Sequence, residues 1–512
     1  MVHKSTVAGL GFLRGRPVLV AGAGISGRAV ITPLGDLGAQ VTVTDTSADA
    51  LARSAELGAE TVPLDHLIGD VERVGEFALV VTSPGFRPDS PLLAAAAGAG
   101  VPVWGDIEFS WHVDRAALYG PPRRWLVVTG TNGKTTTTSM LNSILGAAGV
   151  SSAACGNIGL PVLDALRAES PRAEILAVEL SSFQLYWAPS VRPEAGVVLN
   201  IAEDHLDWHG GMAGYVAAKA RALTGAVGVV GLDDAVASSL LSTSPAERTV
   251  GFRTGRPGPG ELGVENEHLV DRAFADSVQL APENGIRPPG PAGVADALAA
   301  AALARAVGVE PEAVARGLAD HVVGPHRGAT VGVFEGVTYV DDSKATNPHA
   351  AKPSVLAHDR VVWVAGGLLK GASVDELVRE VANRLVGVVL LGRDATQIAD
   401  ALARHAPDVP VVHVDSGDDA GVIGNGEAGL SGVRRVRLPA DTPSDSVMNT
   451  VVREAATMAS AGDAVVLAPA AASLDMFTSY GHRGDSFAAA AAALAAETLA
   501  TEIPDESDVG GA

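Results

Sequence analysis

Cys155 is the only cysteine in the chain. One thiol excludes an intrachain disulfide framework and any cysteine-rich zinc site. Cys155 itself is expected to be a small buried residue, not a nucleophile. Aromatic residues are scarce at 4%, so the 47% of hydrophobic residues must fill cores mainly with Ala, Val and Leu. Cations are short as well: 37 Lys and Arg face 59 Asp and Glu, a formal charge of −22. Such a balance argues against nucleic acid or an anionic membrane as the main partner, because neutralising phosphates needs surplus Lys and Arg. Small phosphorylated ligands need only local donors and are not excluded. The longest apolar run, Phe487 to Ala496, falls far short of the roughly 20 residues of a spanning helix. The opening MVHKSTVAGLGF lacks the apolar stretch of a signal peptide. A cytoplasmic protein without membrane insertion is expected.

What is present begins with Leu126 to Thr138, LVVTGTNGKTTTT. An apolar, β-branched run reads as a buried strand and breaks into Gly130-Thr131-Asn132-Gly133, after which Lys134-Thr135-Thr136 opens a helix. Glycines let the backbone curl so that successive N–H groups point inward, and the helix N-terminus adds partial positive charge. Lys134 would reach the β/γ-phosphates, and the Thr135 hydroxyl would sit on Mg²⁺. The spacing departs from G-x-x-x-x-G-K-[ST], since Val128 stands at the first glycine position.

Upstream, the strand candidate at 17–22 runs into Gly22-Ala23-Gly24-Ile25-Ser26-Gly27, and a second strand ends at Asp45. This G-x-G-x-x-G arrangement binds a diphosphate, with the acidic residue on a ribose or base edge. NAD and a UDP-sugar satisfy it equally. A further strand ends in Ser83-Pro84-Gly85, at the kind of position where ligands of open α/β sheets bind. Downstream of the phosphate loop, a strand ends at Glu179, where a nucleotide-bound Mg²⁺ would find a hard oxygen ligand. Another strand runs into Glu203-Asp204-His205-Leu206-Asp207, so His205 sits within a carboxylate cluster. Lys219 lies in a helical stretch from Tyr215 to Leu223, where the bland reading is a solvated surface lysine. From residue 325, strands and helices alternate again, which predicts another α/β unit with a parallel sheet.

Taken together, these motifs resemble the Mur ligase family of bacterial cell-wall synthesis. The phosphate loop matches the family's shortened G-T-N-G-K-T form. Glu179-Leu180-Ser181-Ser182-Phe183-Gln184-Leu185 and Asp342-Ser343-Lys344-Ala345-Thr346-Asn347 match signatures of its D-glutamate-adding branch. Glu203-Asp204-His205, Pro325-His326-Arg327 and Ala472-Ser473-Leu474-Asp475 match as well. The resemblance covers about residues 15–495. It implies an α/β protein of three domains. Residues 1–120 would form a Rossmann-like UDP-sugar-binding domain, 121–324 a central P-loop-type ATPase domain, and 325–500 a Rossmann-like domain for the incoming amino acid. Residues 501–512 would form a disordered acidic tail. Linkers near 121 and 325 suggest that the third domain swings to close over ATP.

The implied reaction is ATP-dependent addition of D-glutamate to UDP-N-acetylmuramoyl-L-alanine through an acyl phosphate, by a monomer with these small molecules as its partners. The same resemblance implies two Mg²⁺ ions, held by Thr135 and Glu179 and by His205 and a carbamylated Lys219. It places Gly24, Ile25, Ser26, Asp45, Thr46 and Gly85 on the UDP-sugar and Asn157 on the acyl group. Gly130 to Thr136, Arg327 and Asp342 fall on ATP. Lys344, Thr346, Lys370, Ser473 and the backbone near Tyr480 fall on D-glutamate.

Ala292-Gly293 stands where many members carry His-Asn, and Gly231 where Asn is usual, so adenine recognition must come from elsewhere or be backbone-only. Three rival readings fit part of the pattern. An NAD-dependent oxidoreductase leaves the loop at 130–135 unexplained. A sibling amide ligase, such as a folate polyglutamylating enzyme, does not need the first domain. An ATP-gated scaffold would bind nucleotide without turnover.

Overall fold

The computed structural model describes residues 9–68, 70–416 and 433–502, without the side chains of 498–502. Two compact units make up the chain, Met1–His321 and Val322–Ala512.

Within the first unit, β1 (Pro17–Ala21) is an apolar run buried at four of its five positions, which suits the middle of a sheet. It lies between β2 (Gln40–Asp45) and β4 (Leu79–Thr82). β3 (Glu60–Pro63) lies beyond β2, and β5 (Val103–Gly105) beyond β4. All of these strands pair in parallel. Strand order reverses between β1 and β4, so the turns after their C-terminal ends, Gly22–Gly27 and Ser83–Gly85, flank the crevice where such sheets bind ligands. Gly27 permits this turn: a Cβ there would stand 1.8 Å from the Gly22 carbonyl oxygen.

The same unit contains a nine-stranded sheet in the order β14-β13-β12-β11-β10-β9-β6-β8-β7. Its strands are β6 (Arg124–Thr129), β7 (Ser152–Gly156), β8 (Ile175–Glu179), β9 (Ala195–Val198), β10 (Val227–Gly231), β11 (Arg248–Phe252), β12 (Glu261–Glu265), β13 (His268–Asp271) and β14 (Val278–Pro282). Pairing is parallel from β7 through β12, and β13 and β14 are antiparallel. The scarcity of aromatics shapes the packing. Helix Pro291–Ala306 buries Ala297 and the run Ala299–Ala302 in one core with Met140, Leu141 and Ile144 of helix Lys134–Ala147. Gly317 lets a third helix approach so closely that a Cβ would stand 2.3 Å from Ile144 Cα.

The two sheets of this unit are bonded together. Gly105 N donates to Trp187 O at 3.0 Å and Trp187 Nε1 to Phe86 O at 3.3 Å. The buried Asp114 carboxylate accepts from Arg123 N and from Trp125 Nε1.

In the second unit, strands β15 (Ala329–Phe334), β16 (Val337–Asp341), β17 (Val361–Gly366), β18 (Leu385–Leu391), β19 (Val411–Ser416), β20 (Val433–Leu438) and β21 (Ala464–Leu467) lie in the order β15-β16-β21-β17-β18-β19-β20. The expected parallel sheet needs one correction: β15 runs antiparallel to β16. Glu335 and Gly336 both adopt positive φ, 50° and 77°, and close a two-residue hairpin whose twist suits antiparallel partners. Because β16, β21 and β17 are neighbours, the loops after their C-terminal ends share one end of the sheet. Helix Tyr480–Glu502 includes residues 501 and 502; the rest of the expected tail, 503–512, lies outside the described residues. Among the described residues, no helix is long and apolar enough to cross a membrane.

Candidate active site

The loop after β6 is a braced anion cradle. Gly133 is left-handed at φ 81° and precedes helix Lys134–Ala147 as an N-cap without a side-chain hydrogen bond, and a helix N-terminus favours a negatively charged group. Asn200 braces the loop in both directions. It accepts from Asn132 N at 2.9 Å and donates to Asn132 O at 3.2 Å, while Thr131 N donates to Asn200 O at 3.0 Å. Thr131 Oγ1 accepts from Ala202 N and lies 3.0 Å from Tyr215 Oη. Lys134 Nζ donates to Gly130 O at 2.9 Å and Thr131 O at 2.7 Å. Thr135 and Thr136 occupy the first helical turn.

Lys219 is no surface lysine. It is 2% exposed, and its Nζ donates to the same Gly130 O at 2.7 Å and stands 4.7 Å from the centre of the Tyr215 ring. Burial pushes its ammonium well below the ordinary lysine range; the charge on Lys134 adds to this, and Asp204 opposes it. His205, itself at φ 54°, has Nε2 3.4 Å from Asp204 Oδ2 and its ring 4.6 Å from that of Phe183. Next to it, burial together with His205 and Lys219 pushes His209 down to about 4.

Glu179 ends β8, in register with Val128 of β6. It is 1% exposed; Oε1 accepts from Asn157 Nδ2 at 2.9 Å, and Oε2 is buried without a hydrogen-bond partner among the described residues. An unpaired carboxylate oxygen beside a phosphate loop suits a Mg²⁺ that takes its other ligands from phosphate oxygens and water. No cluster of three His, Cys, Asp or Glu forms a ready cage among the described residues. An ion held largely by substrate oxygens does not require one. Cys155, fully buried, has its thiol pushed up to about 12 by desolvation, which leaves it inert.

At the first sheet, Asp45 is more engaged than its pattern suggests. Oδ2 accepts from Ala23 N at 2.7 Å and Oδ1 from Ser47 N at 2.9 Å, so the carboxylate holds the glycine-rich turn itself. Each oxygen keeps a further lone pair for a ligand. Gly24, Thr46 and Gly85 are exposed, as is Ile25 at 64%; Ser26 is half-buried.

The second unit gathers its own group. Asp342, Lys344 and Thr346 follow β16, Lys370 follows β17 at φ 53°, and Ser473 follows β21. Burial raises the Asp342 carboxyl to about 6, with the Ser354 hydroxyl bonded to it and Arg327 acting against the rise. Lys344 Nζ lies 4.0 Å above the Tyr480 ring.

The residue that sequence reasoning missed here is Arg483. Its guanidinium is buried and donates to Ser343 Oγ and O, Gly366 O and Ala471 O, which ties the three loops together. Burial pushes it down to about 10, so it stays charged at neutral pH. Arg483→Met is expected to cost the second unit about 3 kcal/mol or more, because buried acceptors lose a charged donor. Urea unfolding checks this, and a loss below about 0.5 kcal/mol, within the range of ordinary surface changes, would sink it. The available signal was a lone arginine just before the alanine-rich segment 488–496.

The glycines at the two departures from the family pattern have steric causes. A Cβ on Gly293 would stand 1.8 Å from Pro288 O, and one on Gly231 would stand 2.1 Å from Leu199 O. Neither backbone admits a side chain. Asp296, by contrast, reaches the loop: its Oδ1 lies 3.1 Å from Thr137 Oγ1 and occupies the space a Cβ on Gly133 would need.

A glycine-bearing loop entering a helix beside a buried carboxylate and a lysine, on a mostly parallel sheet, defines a phosphate-binding α/β protein of the nucleoside-triphosphate class. Comparison with known proteins narrows this. The Mur ligase middle domain matches residues 128–262, and the Mur ligase MurD-like N-terminal domain matches residues 16–105. UDP-N-acetylmuramoylalanine–D-glutamate ligase of Rhodococcus jostii (strain RHA1) is 74% identical over 495 residues, 97% of this chain and 99% of that protein. Its counterpart from Nocardia farcinica (strain IFM 10152) is 62% identical over 490 residues, 95% of this chain and 98% of that protein. The structure of UDP-N-acetylmuramate-alanine ligase MurC from Thermotoga maritima superposes with a TM-score of 0.53 at 16% identity, covering 95% of this chain and 100% of that one, which shows a shared fold. The chain belongs to the Mur ligase family, in its branch of UDP-N-acetylmuramoylalanine–D-glutamate ligases.

Proposed function

We infer that this chain joins D-glutamate to UDP-N-acetylmuramoyl-L-alanine with cleavage of ATP, in the cytoplasmic stage of peptidoglycan precursor synthesis. Near-full-length identity to ligases of that name supports the substrate pair. The observation that carries the chemistry is the convergence of Lys134 and Lys219 on Gly130 O, beside the unpaired oxygen of Glu179.

The L-alanine carboxylate attacks the γ-phosphorus of ATP and releases ADP, giving an acyl phosphate. The D-glutamate amine then attacks the acyl carbon, loses a proton, and expels inorganic phosphate as the amide forms. Lys134 and the N–H groups of the loop Gly130–Thr136 neutralise charge on the transferring phosphoryl group, which is most of what a protein can contribute to such a transfer. Thr135 and Glu179 would hold one Mg²⁺, and His205 with a carbamate on Lys219 a second. When bound, these ions offset the phosphoryl and acyl oxygens' negative charge.

Gly24, Ile25, Ser26, Asp45, Thr46 and Gly85 take the UDP portion, and Asn157, anchored on Glu179, takes the acyl end. Arg327 and Asp342 take ATP. Lys344, Thr346, Lys370, Ser473 and the Tyr480 backbone take the two carboxylates of D-glutamate. The chain would act as a monomer, with domains at 1–120, 121–324 and 325–500.

Phosphate release by the purified protein with ATP, Mg²⁺ and UDP-N-acetylmuramoyl-L-alanine tests this. Release is expected only when D-glutamate is added, with L-glutamate and L-lysine inactive. Silence with every amino acid would turn the reading toward a different acceptor or a nucleotide-gated scaffold.

A further inference from the structure

His205 stands at the head of a single helical turn, Leu206–His209, that has little of its own to hold it. The chain enters the turn through His205 at φ 54° and leaves it through Gly210 and Gly211 at φ 70° and 116°. One turn fixes several dihedrals for very few hydrogen bonds, so its orientation must come from what its side chains meet. Asp207 approaches Arg87 at 3.7 Å with both side chains exposed, and such a pair is worth little. The Trp208 indole nitrogen is buried without a hydrogen-bond partner among the described residues. His209 does more. Its Nε2 lies 2.9 Å from Ser182 Oγ, 27 positions earlier, in hydrogen-bond contact. Ser182, 4% exposed, opens the helix Ser182–Tyr186 that follows Glu179.

The same imidazole is packed among rings. It lies nearly parallel to the Phe183 ring, 5.6 Å away at 9°, and Phe183 also meets the His205 ring at 4.6 Å. The Tyr215 ring stands 5.4 Å from it, one helical turn before Lys219. The backbone is seated as tightly: a Cβ on Gly214 would stand 2.2 Å from His209 O, so helix Met212–Ala220 rests directly on this carbonyl. His209 therefore touches the segment after Glu179 and the helix that carries Lys219, and closes the turn that begins at His205. Ring packing alone tolerates some rotation of the turn. A 2.9 Å hydrogen bond does not, since it weakens steeply with distance and angle.

We propose that His209 is a positioning residue for His205: its bond to Ser182 seats the turn Leu206–His209 on the segment after Glu179, so that the His205 imidazole and the Glu179 carboxylate keep one mutual geometry. This rests on the assignment of Glu179 and His205 to the two Mg²⁺ ions. His209 touches no reacting atom. It acts through the backbone of its turn and through Phe183.

The test uses the full-length protein with Mn²⁺ as a paramagnetic probe, β,γ-methylene-ATP and UDP-N-acetylmuramoyl-L-alanine. His209→Phe keeps a ring beside Phe183 and Tyr215 and removes the hydrogen bond, and Ser182→Ala removes it from the other side. Electron paramagnetic resonance counts the bound ions, and Lys219→Ala, which removes a ligand of the second ion, tells the two apart. In either His209→Phe or Ser182→Ala, the ion assigned to His205 and Lys219 is expected to bind about tenfold more weakly, the scale on which groups that orient a metal ligand act. The ion assigned to Thr135 and Glu179 should change by about twofold or less, because the pairing of β8 and Asn157 hold Glu179 without His209. The Mg²⁺ concentration that half-saturates phosphate release should rise by a similar factor, with kcat at saturating Mg²⁺ within about threefold of wild type. The double variant should match the single ones, since each lacks the same bond, and additive losses overturn the coupling. A lowered melting temperature with both Mn²⁺ affinities unchanged would mean a merely structural histidine and overturn the proposal. Should His209→Phe not fold, Ser182→Ala alone carries the measurement. Wild-type protein that takes up a single Mn²⁺ would remove the two-ion assignment itself. Two ions in the wild type, with unchanged affinities in the variants, would remove only the role of His209.

Discussion

Lys134→Ala is expected to lower D-glutamate-dependent phosphate release by about 10³-fold or more, the scale seen when a preorganised charge is removed from a transferring group. The fold should survive. Lys134 Nζ bonds Gly130 O and Thr131 O, and Gly130 O also accepts from Lys219, so that carbonyl is not orphaned when Lys134 is shortened. The loop's remaining braces run through Asn200 and Ala202 and do not involve the Lys134 side chain. Thr131 O loses its Lys134 donor, so stability should change by about 1–3 kcal/mol, while the charge aimed at the phosphates is lost entirely. A second consequence follows from the pair of ammonium groups. Lys134 helps hold Lys219 below its ordinary range, so its removal lets the Lys219 pKa rise and favours the protonated amine. Phosphate release and thermal melting, measured on the same sample, separate chemistry from folding. Activity within about tenfold of wild type would remove Lys134 from the transfer step.

What the sequence made legible was local. The phosphate loop, the turn after β1 and the carboxylate ending β8 each lie within a few residues of a strand end, where pattern and glycine spacing speak directly. Two features escaped, the first for want of a turn signature and the second because its causes are not local. The hairpins at Asn266-Glu267 and Glu335-Gly336 place glutamates at positive φ, which their sequences do not advertise as Asn-Gly would. The partners of His209, Arg483 and Asp296 are 27, 140 and 159 positions away, so no spacing rule could find them. Asp45 was found, but its bonds to Ala23 N and Ser47 N were not, since a carboxylate pattern does not distinguish a ligand from a backbone N–H. Lys219 was decidable in principle. It follows Tyr215 by one helical turn and neighbours Ala218 and Ala222, all buried, so the helix face itself pointed inward.

Lys219→Ala should be as inactive as Lys134→Ala, yet differ from it in being partly restored by short-chain carboxylic acids. A lysine 2% exposed and close to Lys134 is driven toward its neutral amine, and the neutral amine is the form that adds CO₂. The resulting carbamate would present carboxylate-like oxygens where an ammonium has no lone pair to offer a metal ion. Truncation to alanine empties the space between Tyr215 and Gly130, about four methylenes and a nitrogen in length, which acetate or propionate can enter with its carboxylate in place of the carbamate's. Activity is expected to fall about 10³-fold or more and to recover about tenfold with added acid. Lys219→Arg should not respond, since a guanidinium fills the space and stays charged. Labelled bicarbonate gives an independent readout: a carbon-13 carbamate signal in wild type that disappears in Lys219→Ala. Full activity in the alanine variant without added acid, or no carbamate signal in an active wild type, would leave Lys219 as a buried brace of Gly130 O and return the second metal site to His205 and its carboxylate neighbours.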